Sequence, residues 1–333
     1  MEKNTRNSIL LTADMLDISI CICTFRRPVL LRALLDGILQ QDITRLTIQV
    51  VVVDNDPAQS ASAVLSEAAS QFGDRLIPVT LTESNISLAR NAAVHAASGE
   101  WIVFVDDDER PEPTWLSQLM KTQQQYSADL VFAPVLAEYA DGVANWLKQG
   151  GYFDRRRLVT GTTVTETDAR SGNVLIRRSA LMRLCDDAVS SPNSGPSGPF
   201  DAAYGKTGGE DSILFRQLGA GGARMVWCDE APVYEWIPLD RAQPKWLVQR
   251  SYRTGQLFMR TELAMQQGRA RSLRAAYLAS RALLQLVIAA LLVIILLVFK
   301  PLSSFKWLRI LASQAGKLSY LFGSLSQAYG SSS

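Results

Sequence analysis

Apolar and polar positions follow two periods that alternate along the chain. Unbroken apolar runs of strand length occur at Ile18-Ser19-Ile20-Cys21-Ile22-Cys23-Thr24, Ile48 to Val53, Leu76 to Leu81, Trp101 to Val105, Leu130 to Leu136 and Val174-Leu175-Ile176. Between them lie segments of helical spacing. Leu30, Leu31, Leu34, Leu35, Ile38 and Leu39 recur after Pro28, which suits a first helical turn. A polar-alanine segment ends at Phe72, Leu88 to Ala97 follows, Pro113 opens another helix, and Ser212 to Leu218 forms a last short one. Strand-length runs rich in β-branched residues are buried on both faces, and strands alternating with helices predict a parallel, mostly doubly wound α/β sheet. Residues 137–170 are loop-rich, and Ser190 to Gly209, rich in Gly, Pro and Ser, reads as a long loop.

The C-terminal pattern differs. Ala282 to Phe299 is apolar but for Gln285. Its length reaches the lower end of the roughly 17–25 residues of a membrane span, with a buried core helix as the plain alternative. Arg269, Arg271, Arg274 and Arg281 precede it and Lys300, Lys306, Arg309 and Lys317 follow, so flanking charge gives no orientation. The segment either crosses once or returns as a hairpin or interfacial piece. Residues 303–323, with Phe305, Trp307, Ile310 and Leu318 among basic residues, have the makeup of an interfacial helix. The domains expected are an arm (1–16), a catalytic domain (17–240), a basic helical connector (241–277) and a membrane anchor (278–333).

Charge sharpens this division. The net charge is +2, yet residues 241–333 hold 13 Lys and Arg against one acid, Glu262, which leaves −10 on residues 1–240. A basic tail on an acidic body points to lipid headgroups, not nucleic acid. Residues 1–16 lack a signal-peptide pattern, so export is not expected. The four cysteines lack metal-ligand spacing and read as reduced buried thiols. His95, the single histidine, excludes a His-rich metal site. The first strand is followed by no glycine-rich phosphate loop.

Polar residues gather where strands end: Thr24 and Arg26, Asp54, and Asp106-Asp107-Asp108-Glu109. In open α/β sheets the ligand crevice lies at those carboxyl ends. Clustered carboxylates raise one another's pKa, a cost that a divalent cation removes, and hard oxygen ligands suit Mg²⁺ or Mn²⁺. Strand alternation places Asp106 and Asp108 on one side and Asp107 on the other. The competing reading is a solvated acidic turn. Gly208-Gly209-Glu210-Asp211 opens a helix, and two readings of Asp211 stand: a group placed for the helix dipole or cap, or a general base.

Six motifs in order then resemble the family 2 glycosyltransferases of GT-A fold, over roughly residues 17–260: Ser19 to Arg27, Val51-Val52-Val53-Asp54-Asn55, Asn85 to Asn91, Phe104 to Glu109, Ser171-Gly172-Asn173 and Gly208 to Asp211. Within the family the look is that of bacterial exopolysaccharide enzymes of the succinoglycan glucosyltransferase type. The resemblance implies a Rossmann-like sheet and an inverting, metal-dependent hexose transfer from a nucleotide sugar such as UDP-glucose. The acceptor implied is a lipid-linked saccharide, at the cytoplasmic face of a bacterial inner membrane. It implies Thr24, Arg26, Asp54 and Arg90 at the nucleotide and Asp106 and Asp108 as a D-x-D motif at the metal-bound diphosphate. Asp107 and Glu210 fall in the donor site, Gly172 and Asn173 at sugar or acceptor, and Asp211 is the base. Val233-Tyr234-Glu235 stands where many members carry a histidine metal ligand, with Glu235 as the substitute. Gln249 to Arg253 lacks the tryptophan of the processive Q-x-x-R-W motif, so one sugar per acceptor is expected. The alternatives are a nucleotidyltransferase, disfavoured by the missing glycine-rich loop, and an inactive membrane-tethered binding protein.

Overall fold

The computed structural model describes residues 17–44, 46–187 and 198–326. The arm 1–16 and the part of the Gly/Pro/Ser loop at 190–197 lie outside them. The main sheet has seven strands in the order β3-β2-β1-β4-β8-β6-β9: β1 (Ile18–Thr24), β2 (Ile48–Asp54), β3 (Leu76–Thr80), β4 (Trp101–Phe104), β6 (Leu130–Phe132), β8 (Val174–Arg177) and β9 (Met225–Trp227). All neighbours run parallel except β8, which is antiparallel to both β4 and β6.

Strand alternation divides the core between the two faces. Ile18, Ile20 and Ile22 of β1 pack under α1 (Pro28–Leu39), α2 (Ser62–Phe72) and α4 (Trp115–Tyr126). Cys21, Val51, Val53 and Phe104 face α3 (Ile86–Ala96), α6 (Arg178–Asp187) and α7 (Glu210–Ala220). The expected doubly wound architecture is therefore present, with α5 (Asn145–Gln149) outside it. The chain steps from β1 to β2 and β3 on one side, then returns to place β4 on the other side of β1. This reversal opens a crevice beyond the carboxyl ends of β1 and β4.

Two expectations are corrected. The run Leu130 to Leu136 is two strands: β6 stays in the main sheet, and β7 (Val135–Tyr139) joins a small second sheet with β5 (Glu109–Pro111) and β10 (Val233–Ile237). Pro134, at the break, has no N–H to give a ladder. The side-chain alternation expected through Asp108 also fails, because the strand ends at Phe104 and residues 107–108 turn.

The C-terminal third is helical: α8 (Pro244–Ala264), α9 (Gly268–Phe299) and α10 (Pro301–Leu321). α10 lies between α8 and α9, most of its residues half-buried. Two glycines allow the helices to touch. An added Cβ on Gly255 would stand 2.0 Å from the Ser313 carbonyl oxygen, and one on Gly316 would stand 2.0 Å from that of Tyr252. The Phe305 ring meets Trp146 and Tyr152 edge-on at 5.4 and 5.3 Å. α10 is thus packed against the body, whereas α9 buries only Leu278, Ala282 and Ala289 and leaves most of its apolar residues exposed.

Gly316→Val is expected to force α10 from α8, costing about 1–3 kcal/mol as overpacking does. A lowered denaturation midpoint with faster proteolysis between α9 and α10 is the expected result.

Candidate active site

The crevice begins with the four acids after β4. Burial pushes the Asp107 carboxyl up to about 6, the Asp108 charge adding to this and Arg27 opposing it. Asp107 accepts from Thr24 Oγ1 (2.8 Å) and Arg27 Nη1 (2.9 Å). The same Arg27 nitrogen donates to Asp108 Oδ2 (2.9 Å), which also takes Arg241 Nη1 (3.0 Å). Asp106 turns the other way, 3.7 Å from Arg90 Nη2, and is the most open of the four, with 45% of its side chain accessible. Burial raises its pKa too, with Arg90 opposing. Glu109 folds back to accept the Asp106 N–H (2.9 Å). Burial and the Asp106 charge hold its carboxyl well above the usual range.

A second acidic pair enters from α7. Glu210 is buried and ion-paired to Arg90, while its Oε2 has no hydrogen-bond partner among the described residues. Burial pushes its carboxyl up to about 7, with Arg90 opposing and Asp211 adding. Asp211 Oδ1 accepts the Ser212 N–H (2.7 Å), one of the donors left open at a helix start. Its side chain nevertheless lines a cavity, so both readings of Asp211 describe part of its surroundings.

Two cavities flank Asp106. One, of about 490 Å³, is lined by Thr24, Asn55, Asp106–Asp108 and Arg241 at the ends of β1, β2 and β4. The other, of about 550 Å³, is lined by Gly172, Gly208–Asp211 and Arg155. Asp106, Arg90 and Arg250 line both. Arg250 lies across the faces of Trp246 and Phe153 (5.3 and 5.7 Å) and pairs with no carboxylate among the described residues. Burial lowers its pKa, Glu235 partly offsetting this while Arg155, Arg241 and Arg309 add to it.

The remaining expected residues take other places. Gly172 presses its backbone on the acids: an added Cβ would lie 2.7 Å from Glu109 Oε1 and 3.2 Å from Asp106 Oδ2. The fully buried Asn173 gives its amide to the carbonyls of Pro134 and Ala231 (2.8 Å each) and accepts from Trp115 Nε1 (2.7 Å). Asp54 is buried and accepts the backbone N–H groups of Asp56 (3.0 Å) and Ala61 (2.8 Å), shaping the turn below the smaller cavity. Arg26, at φ 56°, bonds Asp56 (3.2 Å) at the rim. Glu235 is held by Arg155 (2.7 Å) and Arg241 (3.6 Å). Arg27, Arg155, Arg241 and Arg250 were not anticipated. The signal available was the acidic run itself, which demands counter-charge when buried.

A family model, glycosyl transferase family 2, matches residues 19–185. The succinoglycan biosynthesis protein ExoM of Rhizobium meliloti is 31% identical over 246 residues, 73% of this chain and 74% of that protein. The chain belongs to glycosyl transferase family 2. Glycosyltransferase activity follows from that membership, which sets aside the nucleotidyltransferase and inactive-binder readings. The fold is GT-A. The mannosyltransferase PcManGT of Pyrobaculum calidifontis, solved with GDP-Man and Mn²⁺, superposes with a TM-score of 0.59 at 20% identity, covering 93% of this chain and 88% of that one. Residues 1–349 of TarS from S. aureus, solved with UDP-GlcNAc, give 0.51 at 17% identity, with 92% of each chain covered.

Asp108 and Glu235 are each held by two arginines, and among the described residues no three His, Cys, Asp or Glu side chains converge on one point. The arrangement is no closed protein cage for a divalent cation. It fits the open type, in which one or two carboxylates share the ion with substrate phosphates, with Asp106 as the accessible ligand.

Asn173→Ala is expected to orphan the Trp115 N–H and two carbonyls, lowering stability by on the order of 2–3 kcal/mol in denaturant unfolding. Nucleotide affinity per folded molecule is expected to hold. A second expectation concerns pH. The Glu210 carboxyl has an ordinary value of 4.5 and is raised to about 7 in the fold. Over that interval the folded chain binds the extra proton, so stability falls as pH rises. The melting temperature should be lower at pH 8 than at pH 5, and Glu210→Gln should narrow the difference.

Proposed function

We propose that the chain transfers a single hexose, with inversion, from a UDP-sugar to a hydroxyl of a lipid-linked saccharide in exopolysaccharide or surface-glycan assembly. One observation carries this: two cavities meet at Asp106, Arg90 and Arg250, with polar strand ends on one and a helix-borne carboxylate on the other. The smaller cavity takes the nucleotide, with Thr24, Asn55 and Asp107 along its floor. The diphosphate falls at the junction, where Arg250 offers a cation that no carboxylate already neutralises. Asp106 is the residue that would hold Mg²⁺ or Mn²⁺ together with the diphosphate, and such an ion neutralises charge on the leaving group.

The sugar reaches into the larger cavity past Gly172. Asp211, on the wall of that cavity, takes the proton from the acceptor hydroxyl as its oxygen bonds to the anomeric carbon. A single displacement turns an α-linked donor into a β-linked product, with no second carboxylate as nucleophile. Glu210, buried and inclined to hold a proton, orients Arg90 beside Asp106. The relationship to a succinoglycan biosynthesis protein supports exopolysaccharide assembly. The basic tail and the apolar α9 support a membrane-borne acceptor at the cytoplasmic face of a bacterial inner membrane.

Asp211→Asn preserves the bond to the Ser212 N–H while removing the base. Single-turnover transfer at saturating donor is expected to fall by on the order of 10²–10⁴ with UDP affinity retained. Near-normal transfer would reduce Asp211 to a helix-start residue, and joint loss of transfer and UDP binding would place it in the donor site.

A further inference from the structure

α9 has two unlike faces. Leu278, Ala282 and Ala289 are buried along one. Along the other, Leu284, Val287, Leu291, Ile295 and Val298 are 49–77% exposed, three or four residues apart, forming one continuous apolar stripe. The inner face is covered by α10, which runs back beside it: Ser304 Oγ donates to the Val293 carbonyl (3.0 Å). α10 is in turn fixed to the catalytic body through Gly255, Gly316 and Phe305, and by Gln256 Nε2 donating to Ser319 Oγ (3.1 Å).

A helix that crosses a bilayer takes whatever is packed along its apolar length into the hydrocarbon with it, here 18 residues or about 27 Å. α9 is not free of such packing. Inserting it across the membrane would carry α10, with Lys306, Arg309 and Lys317, and the α8 surface into hydrocarbon, where charged groups are costly. One face, however, is open to lipid along its whole length. Arg269 and Arg271 before the stripe, Arg281 at its start and Lys300 at its end are exposed and pair with no acid among the described residues, which suits lipid phosphates.

We propose that α9 lies in the plane of an anionic membrane surface, its outer stripe in the lipid and both ends on the catalytic side. This rests on the membrane reading above and specifies its form. It also fixes the crevice relative to the lipid, because α8 joins the hairpin to Arg250.

The test uses the purified full chain added to preformed vesicles of phosphatidylglycerol and phosphatidylcholine. Arg271→Cys and Lys300→Cys variants are labelled from outside with a membrane-impermeant maleimide. The native cysteines, buried or half-buried, set the background on the unaltered chain. Both positions are expected to label alike. Protection of Lys300→Cys until detergent is added would overturn the in-plane arrangement while leaving membrane binding intact. Leu284→Glu/Leu291→Glu/Ile295→Glu, all outward-facing, is expected to reduce flotation about tenfold with an unchanged circular dichroism spectrum. Flotation equal to the unaltered chain would overturn the stripe alone. Failure of the unaltered chain to float with any vesicle would remove the membrane reading itself. Sedimentation as a dimer that the triple variant dissociates would assign the stripe to a second copy of the chain, also overturning the proposal.

Discussion

Burying Asp107, Asp108 and Glu109 beside a half-exposed Asp106 at the mouth of a strand is the constraint on which the rest of the site depends. Four adjacent carboxylates in a poorly solvated crevice are unfavourable unless cations reach them. The fold brings those cations from separate parts of the chain: Arg27 from the start of α1, Arg90 from α3, Arg155 from the loops after α5, and Arg241 from just before α8. Each comes from a different element, so the crevice exists only when the whole domain is assembled. Burial still holds the Glu210 and Asp107 carboxyls above their ordinary values after that compensation.

Much of the frame was legible in the sequence. Strands β1, β2 and β4 were evident because burial on both faces forces unbroken β-branched and aromatic runs, a composition with few other uses. Strand ends then located Thr24 and Asp106 at the crevice, with Asp54 buried in the turn beneath it. What the sequence concealed was partnership. Arg27 and Asp107 stand 80 residues apart, and Arg241 and Asp108 stand 133 apart, with no periodicity linking them. Asn173 sits in a motif that resembles a sugar contact, yet its amide in the fold closes three buried groups around Trp115 and Pro134. Local pattern reports which element a residue lies in, not which distant group its side chain meets.

The same limit explains α10. Its mixed apolar and basic composition describes an interfacial helix as well as one held between two others. The deciding residues, Gly255 and Gly316, look like weak points in helical segments when read singly. Their value appears only in pairs, where the missing side chains let two backbones touch.

α8 joins these observations into one mechanical unit. Along its 21 residues, Arg250 lines both cavities, and Gly255 and Gln256 hold α10 about one turn further on. Nearly three turns beyond Arg250, Arg260 bonds Thr207 Oγ1 and donates to the Ala203 carbonyl, in the loop that leads to Glu210 and Asp211. One helix therefore sets the position of Arg250, the loop before Glu210 and Asp211, and the packing of the α9–α10 hairpin. A helix of this length resists bending over a few turns, so moving the hairpin away from α8 must either break the Gly255–Gly316 contact or shift Arg250 and the 203–209 loop with it. Reading α9 as a detachable tether would assign no purpose to that contact. As one wall shared by the hairpin and the crevice, α8 holds the outer face of α9 and the Asp211 carboxylate in a fixed relation.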